Sequence, residues 1–150
     1  MFRANVGVIL ANKNGEVLAL ERVRIPGAWQ MPQGGIQDHE EPIDAAKREL
    51  QEETGISPGQ IEFVAECPEW LAYELPRDKW SAKTGRGQVQ KWFLFKVRDS
   101  EVQISLDRNE EIEFSAWRWM KLSELVTITV AFRQNIYRKL LQVFAGYLEL

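Results

Sequence analysis

"GGIQDHEEPIDAAKRELQEETGI", Gly34 to Ile56, is the stretch on which the reading of this chain turns. Pro42 suits the first helical position, where its missing N–H costs nothing. Asp44 falls in the first turn, where negative charge suits the backbone dipole, and Gly55 is a natural C-terminal stop. The spacing therefore predicts a helix from Pro42 to just before Gly55. At about 100° per residue, Glu49, Glu52 and Glu53 share an arc of roughly 100°. Ile43, Ala46 and Leu50 lie on the adjoining side and form the apolar seam, while Lys47 and Gln51 point away toward solvent.

That arrangement works against the helix itself. Glu52 and Glu53 occupy the last turn, where cations are favoured and each anion costs roughly a few tenths of a kcal/mol. Glu49 and Glu53 also form an i,i+4 like-charge pair, unfavourable by about 0.2–0.5 kcal/mol. Hard divalent cations would remove the repulsion. Clustered carboxylate oxygens are what Mg²⁺ or Mn²⁺ takes, and Mg²⁺ commonly bridges to substrate phosphates.

The flanking sequence reads as mixed α and β structure. "VGVILA" (6–11), "NKNG" (12–15) and "EVLALER" (16–22) predict a hairpin turning at Asn14-Gly15. "IPGAWQMPQGG" (25–35) is loop and short strand, broken by Pro26, Gly27, Pro32 and the Gly34-Gly35 pair. Strands are expected at Ile61–Glu66, Lys91–Val97 and Ala116–Met120, with 74–89 as a long polar loop. An amphipathic helix is expected over 133–144, with Ile136, Leu140 and Phe144 at i, i+4, i+8. These elements give α+β or an α/β/α sandwich. With no repeat, low-complexity tract or linker, one domain spanning 1–150 is expected.

Composition excludes several classes. Apolar residues make up 45% and charged residues 27%, ordinary values for a globular chain. A net charge of −3 supplies no global field for DNA or anionic membrane, so a polyanionic partner must be held by local charges or metal ions. Cys67 is the lone cysteine, which rules out an intrachain disulfide and suits a reducing compartment. It is expected to be a small buried hydrophobe in a strand. The apolar run near the N-terminus is too short to span a membrane and lacks a secretory layout, so a cytoplasmic protein is expected. Trp70, Trp92, Trp117 and Trp119 fall on expected strands or their ends and are assigned to core packing. His39, the only histidine, is assigned to a surface loop.

The quoted stretch resembles the Nudix box: Gly, five residues, Glu, seven residues, then Arg-Glu-aliphatic-x-Glu-Glu-x-Gly-aliphatic. Gly34, Glu40, Arg48, Glu49, Leu50, Glu52, Glu53, Gly55 and Ile56 fit it without departure. The resemblance implies an α/β/α sandwich with a mixed central sheet and hydrolysis of a nucleoside diphosphate linked to another group. It also implies Mg²⁺ or Mn²⁺ held by Glu49, Glu52 and Glu53, with the loop backbone at Gly34 and Gly35 beside the metal. Arg48 and Glu40 are implied as structural, Arg48 pairing with a box glutamate.

The flanks "FRANVGV", "AWQMPQGGI", "WLAYELP", "GQVQKWFLF", "EFSAWRW" and "VAFRQNIYR" are similar to one Nudix branch. It contains asymmetric dinucleoside tetraphosphate hydrolases and bacterial RNA 5′ pyrophosphohydrolases. The likeness implies hydrolysis of diadenosine tetraphosphate to ATP and AMP by water attack on phosphorus. The alternative is removal of pyrophosphate from 5′-triphosphate RNA ends. Tyr73, 17 residues past Ile56, matches a tyrosine associated with dinucleoside polyphosphate cleavage, and the proline of ADP-ribose hydrolases is absent. Tyr73 and Phe132 match base-stacking positions, a contact that contributes about 1–3 kcal/mol. Arg133 matches a substrate contact. Arg3 is implied to face the phosphate chain, and Arg22 could serve the same end. The basic excess of Arg77, Lys79, Lys83, Arg86 and Lys91 in 76–91 can hold phosphates that metal does not reach. A base must accept a proton from water. "NEEIEFSAWRW" offers Glu110, Glu111 and Glu113, of which Glu113 matches best, alongside Glu52 and Glu53 of the box.

Overall fold

A computed structural model describes residues 1–82, 84–107 and 111–149. Strands β1 (Phe2–Ala11) and β2 (Val17–Arg22) form the expected hairpin, with Ala11 opposite Val17. Asn12 organises its turn, the side-chain oxygen accepting the N–H groups of Asn14 and Glu16 at 3.0 Å each. Gly15 supplies the φ of 77° that an L side chain would resist. The short strands β3 (Trp29–Gln30) and β4 (Gln33–Gly35) follow, and then helix α1 (Pro42–Thr54). This helix starts at Pro42 and stops as expected: Gly55 adopts φ 79° and donates its N–H to Gln51 O. Next come β5 (Ile61–Glu66), β6 (Leu71–Glu74), β7 (Gly87–Val97), β8 (Phe114–Met120), α2 (Leu122–Ile128) and α3 (Ala131–Val143).

The strands join one mixed sheet in the order β3-β2-β1-β7-β5, with β4 also on β1, β6 on β7 and β8 on β2. The central pair β1–β7 is parallel, from Phe2 opposite Gly87 to Ala11 opposite Lys96, and the others are antiparallel. Alternation along the central strands fills two cores. Val6, Val8 and Leu10, with Leu18, Leu20, Phe93 and Phe95, pack with Ala45, Ala46 and Leu50 of α1. Ile9, Ala11, Val17, Ala19, Trp92 and Leu94 pack instead with Leu122 and Leu125 of α2 and Ile136, Tyr137 and Leu140 of α3. Burial on both faces is why "VGVILA" reads as a continuous apolar run rather than an alternation. The result is the expected α/β/α sandwich with a mixed central sheet.

Several local expectations need correction. The stretch 74–89 is not all loop: β6 pairs Leu71–Glu74 with Gln90–Gly87, and β7 begins at Gly87. The strand expected from Lys91 thus starts four residues earlier. Helix α2 was not anticipated, and α3 begins two residues earlier than the apolar spacing indicates. Trp92 is fully buried, but Trp70 and Trp117 keep 45% and 39% exposure and are surface residues rather than core. Cys67 is buried, one residue past β5 rather than within it.

Candidate active site

Helix α1 carries Glu49, Glu52 and Glu53 toward the short strand β4. Glu53 is 6% exposed; it accepts the Gln33 backbone N–H, while its Oε2 has no hydrogen-bond partner. Burial raises its pKa well above the usual carboxylate range, and the charges of Glu49 and Glu113 push the same way. Burial likewise drives the Glu49 carboxyl up to about 7, opposed by Arg48 and reinforced by Glu52 and Glu113. Glu113, one residue before β8, thus belongs electrostatically to the same group of carboxylates. Gly34 faces Glu49 so closely that a Cβ there would collide with the carboxyl group, whereas one on Gly35 would meet nothing.

Arg48 offsets part of this charge. Its Nε and Nη2 grip Glu40 at 2.8 and 2.9 Å, its Nη1 reaches Glu49 at 2.9 Å and Glu52 at 3.3 Å, and its Nη2 also donates to Gly35 O at 2.8 Å. The Glu40 carboxyl is held down at about 2, first by Arg48 and then by the Gln37 N–H. Arg48 does pair with box glutamates. It shares one positive charge among Glu40, Glu49 and Glu52 and ties the helix to Gly34–Gly35, which form the end of strand β4 rather than the expected loop.

Among the described residues, no three His, Cys, Asp or Glu side chains converge on a single point as they stand. The donor chemistry nevertheless fits a hard divalent cation. Every candidate ligand is an oxygen, Glu53 Oε2 is an orphaned buried acceptor, and Gly34, lacking a Cβ, lets the Glu49 carboxyl lie against its backbone.

On the other side of β4 lies a cleft of about 290 Å³ lined by Arg22, Gln33, Tyr73, Lys79, Gln88 and Arg133, among others. Arg22 sits where the β2–β8 register shifts, an irregularity of the kind that re-aims a side chain. Arg22 also lines a small pocket with Glu113, so it borders both the cleft and the carboxylates. Tyr73 donates its hydroxyl to Gln88 Oε1 at 2.6 Å, and its ring stacks on Phe132 with centroids 5.4 Å apart. Arg133 is 7% exposed, lies over the Phe132 ring at 4.9 Å and leaves its Nε without a partner.

Arg22, Tyr73, Lys79 and Arg133 thus come together at one cleft, with Phe132 behind Tyr73 and Arg133. Arg3 instead donates to Ala82 O at 2.6 Å. Arg86 is paired with Glu74 at 3.0 Å. Lys91 does not join them: it donates to Cys67 O at 2.7 Å, pairs with Glu66 at 3.1 Å and borders a different groove beside Pro42 and Ile43. The alternation of β7 turns Lys91 to the opposite face from Gln88 and Gln90. Lys83 and Glu110 lie outside the described residues. Glu111 is exposed beside Arg24 at 3.5 Å. Sequence reasoning missed Gln33 and Gln88. Their trace was the alternation of Gln88, Gln90 and Trp92 along a strand otherwise flanked by apolar residues, which places three polar-capable side chains on one face.

The NUDIX domain family model matches residues 1–142. Nudix hydrolase 25 of Arabidopsis thaliana is 43% identical, covering 99% of this chain and 89% of that protein. An RNA pyrophosphohydrolase of Cereibacter sphaeroides is 44% identical, covering 98% and 93%. Among solved structures, an Ap4A hydrolase of C. elegans in a binary complex superposes with a TM-score of 0.73 at 26% identity, covering 97% of this chain and 99% of the other. The chain belongs to the NUDIX family and is a Nudix hydrolase, a group that generally uses divalent metal ions. No helix among the described residues is long and apolar enough to cross a membrane.

Proposed function

We propose that the chain, acting as one domain in the cytoplasm, hydrolyses diadenosine tetraphosphate to ATP and AMP with Mg²⁺ or Mn²⁺. One observation carries the reading: Gln33 and Arg22 each border both the carboxylate group and the cationic cleft. A polyphosphate lying across them would have its reacting phosphorus near Glu49, Glu53 and Glu113. Its remaining phosphates would lie near Arg22, Lys79 and Arg133.

Glu49, Glu52 and Glu53, with the Gly34–Gly35 backbone, would hold the cation. Bound there, a divalent ion lowers the pKa of water and neutralises phosphate charge. Glu113 is the first candidate to accept the proton from the attacking water, with Glu53 and Glu52 as the box alternatives. The water oxygen joins phosphorus, the bridging P–O bond breaks, and ATP departs. Tyr73, backed by the stacked Phe132, offers an aromatic face to the purine, and Arg133 a cation beside it.

The second reading is removal of pyrophosphate from 5′-triphosphate RNA, favoured by the 44% identity to the RNA pyrophosphohydrolase of Cereibacter sphaeroides. Both substrates present a nucleotide with a polyphosphate chain. Matched rates with Mg²⁺ on diadenosine tetraphosphate and on a 5′-triphosphorylated oligonucleotide decide between them, with Glu52→Gln as the control that should abolish either. ATP and AMP formation with untouched RNA supports the first reading, and efficient pyrophosphate release supports the second. Inertness toward both sinks the substrate assignment.

A further inference from the structure

The segment 75–87 that supplies Leu75, Lys79 and Thr84 to the cleft continues outward onto a second surface. Trp80 anchors it, donating its indole N–H to Leu75 O at 2.9 Å. Arg77 and Arg86 lie over the Trp80 ring at 5.4 and 5.1 Å, and Arg86 also covers Phe2 at 5.9 Å. The N-terminus is stitched to the same segment by Arg86 N–H to Met1 O at 2.8 Å and Arg3 to Ala82 O. Phe2 remains 41% exposed, and the Arg86 side chain 50%.

Two aromatic rings interleaved with arginine planes, beside the exposed Lys79, form a basic surface on a chain whose net charge is −3. Glu74 and Asp78 offset only part of it. Structural stapling of the N-terminus accounts for the backbone bonds and for Arg86 between its two rings. It leaves unexplained why Arg77 stacks on Trp80 while facing solvent. Flat faces with flanking guanidinium groups suit unpaired bases and their phosphates, with little sequence preference.

We propose that the surface formed by Phe2, Arg77, Trp80 and Arg86 holds the nucleotides of a single-stranded RNA that follow the 5′ nucleotide seated in the cleft. This rests on the RNA reading of the cleft. It makes Lys79 the junction between the two subsites and predicts that affinity grows with strand length.

The test uses the full chain and two variants outside the cleft, Arg77→Glu and Phe2→Ala. Binding of 5′-monophosphorylated RNAs, a dinucleotide and an oligomer of about eight nucleotides, is followed by fluorescence anisotropy with Mg²⁺. Pyrophosphate release from the triphosphorylated forms and turnover of diadenosine tetraphosphate are measured alongside. The longer RNA should bind more tightly than the dinucleotide and with a steeper salt dependence. Each variant should weaken the longer RNA roughly tenfold and the dinucleotide less, and Phe2→Ala should do so with diadenosine tetraphosphate turnover at the wild-type level. Equal affinity at both lengths, or variants that bind the longer RNA like wild type, overturns the proposal. Pyrophosphate release without length dependence overturns the surface and spares the RNA reading. Length-dependent binding lost in the variants, with no pyrophosphate release, supports the surface and sinks that reading.

Discussion

The Gly34 Cα faces the Glu49 carboxyl with no room for a side chain between them, while the neighbouring Gly35 opens onto empty space. The two glycines of the pair therefore do different work. Gly34→Ala should displace Glu49 and lower kcat/KM by roughly ten- to hundredfold, the range expected when the support of a metal ligand is disturbed. Gly35→Ala should leave turnover nearly unchanged. Steady-state kinetics of the two variants at several Mg²⁺ concentrations check this, and equal effects would refute the assignment.

Arg48 should matter to stability more than to chemistry. Arg48→Ala removes charged hydrogen bonds to Glu40 and Glu49 and to Gly35 O, and should cost about 1–2 kcal/mol in urea unfolding. Arg48→Lys should recover little, because an ammonium cannot reproduce the fork on Glu40.

Glu40 gives that contact a pH signature. Its carboxyl titrates near 2 in the folded chain against 4.5 ordinarily. The stabilisation is present above pH 4.5 and is lost as the pH falls toward 2. Glu40→Gln should flatten this part of the acid-unfolding profile relative to wild type. Parallel profiles for the two proteins would show that the pair adds nothing.

Tyr73 is proposed to act through its ring, and its hydroxyl through Gln88. Tyr73→Phe should keep KM for diadenosine tetraphosphate close to wild type. Tyr73→Ala should raise it roughly tenfold, equivalent to about 1.4 kcal/mol of lost stacking. If phenylalanine proves as damaging as alanine, the bond to Gln88 Oε1 outweighs the aromatic face.

Tyr137 should limit alkaline stability. Burial raises its phenol from 10 to about 12, and its oxygen accepts the Met31 N–H at 2.8 Å. The folded state therefore holds a proton that the unfolded chain releases. This contribution is complete below pH 10 and disappears as pH rises toward 12. Tyr137→Phe should be less stable at neutral pH by about 1–3 kcal/mol, having left that N–H unpaired. Its deficit against wild type should shrink above pH 10. A constant deficit would overturn the assignment.

Local chemistry decides what can be read before the fold is seen. Pro42 and Gly55 bracket α1 because a missing N–H and a left-handed cap act within one turn, and the carboxylate arc follows from helix geometry alone. The hairpin at Asn14-Gly15 was visible for the same reason. Strands β3 and β4 were not separately legible, since two or three residues carry no period and form only because β2 and β1 offer edges. The β1–β7 pairing, whose partners lie 85 residues apart at Phe2 and Gly87, left no local mark. Charge alone puts Lys91 with the phosphate-holding cations. Its side chain turns away because strand parity, unseen until β7 is placed, assigns it to the other face. Trp117 shares its face of β8 with Trp119, which packs against the α1-side core, but β8 pairs only with β2 and leaves Trp117 exposed at the sheet edge.

In β1 and β4, Gly7 stands opposite Gln33, Val6 opposite Gly34, and Asn5 opposite Gly35. Three pairs set the phase between the two halves of the site. Sliding β4 by one position would swing the Gln33 side chain out of the cleft and put a Cβ where Glu49 needs emptiness. The shortest fully paired strand on β1 thus works as a parity lock: it has two settings, and only one aligns the anionic and cationic halves along a single polyphosphate. Repacking of the large cores can be graded, but an error in this register is all-or-none.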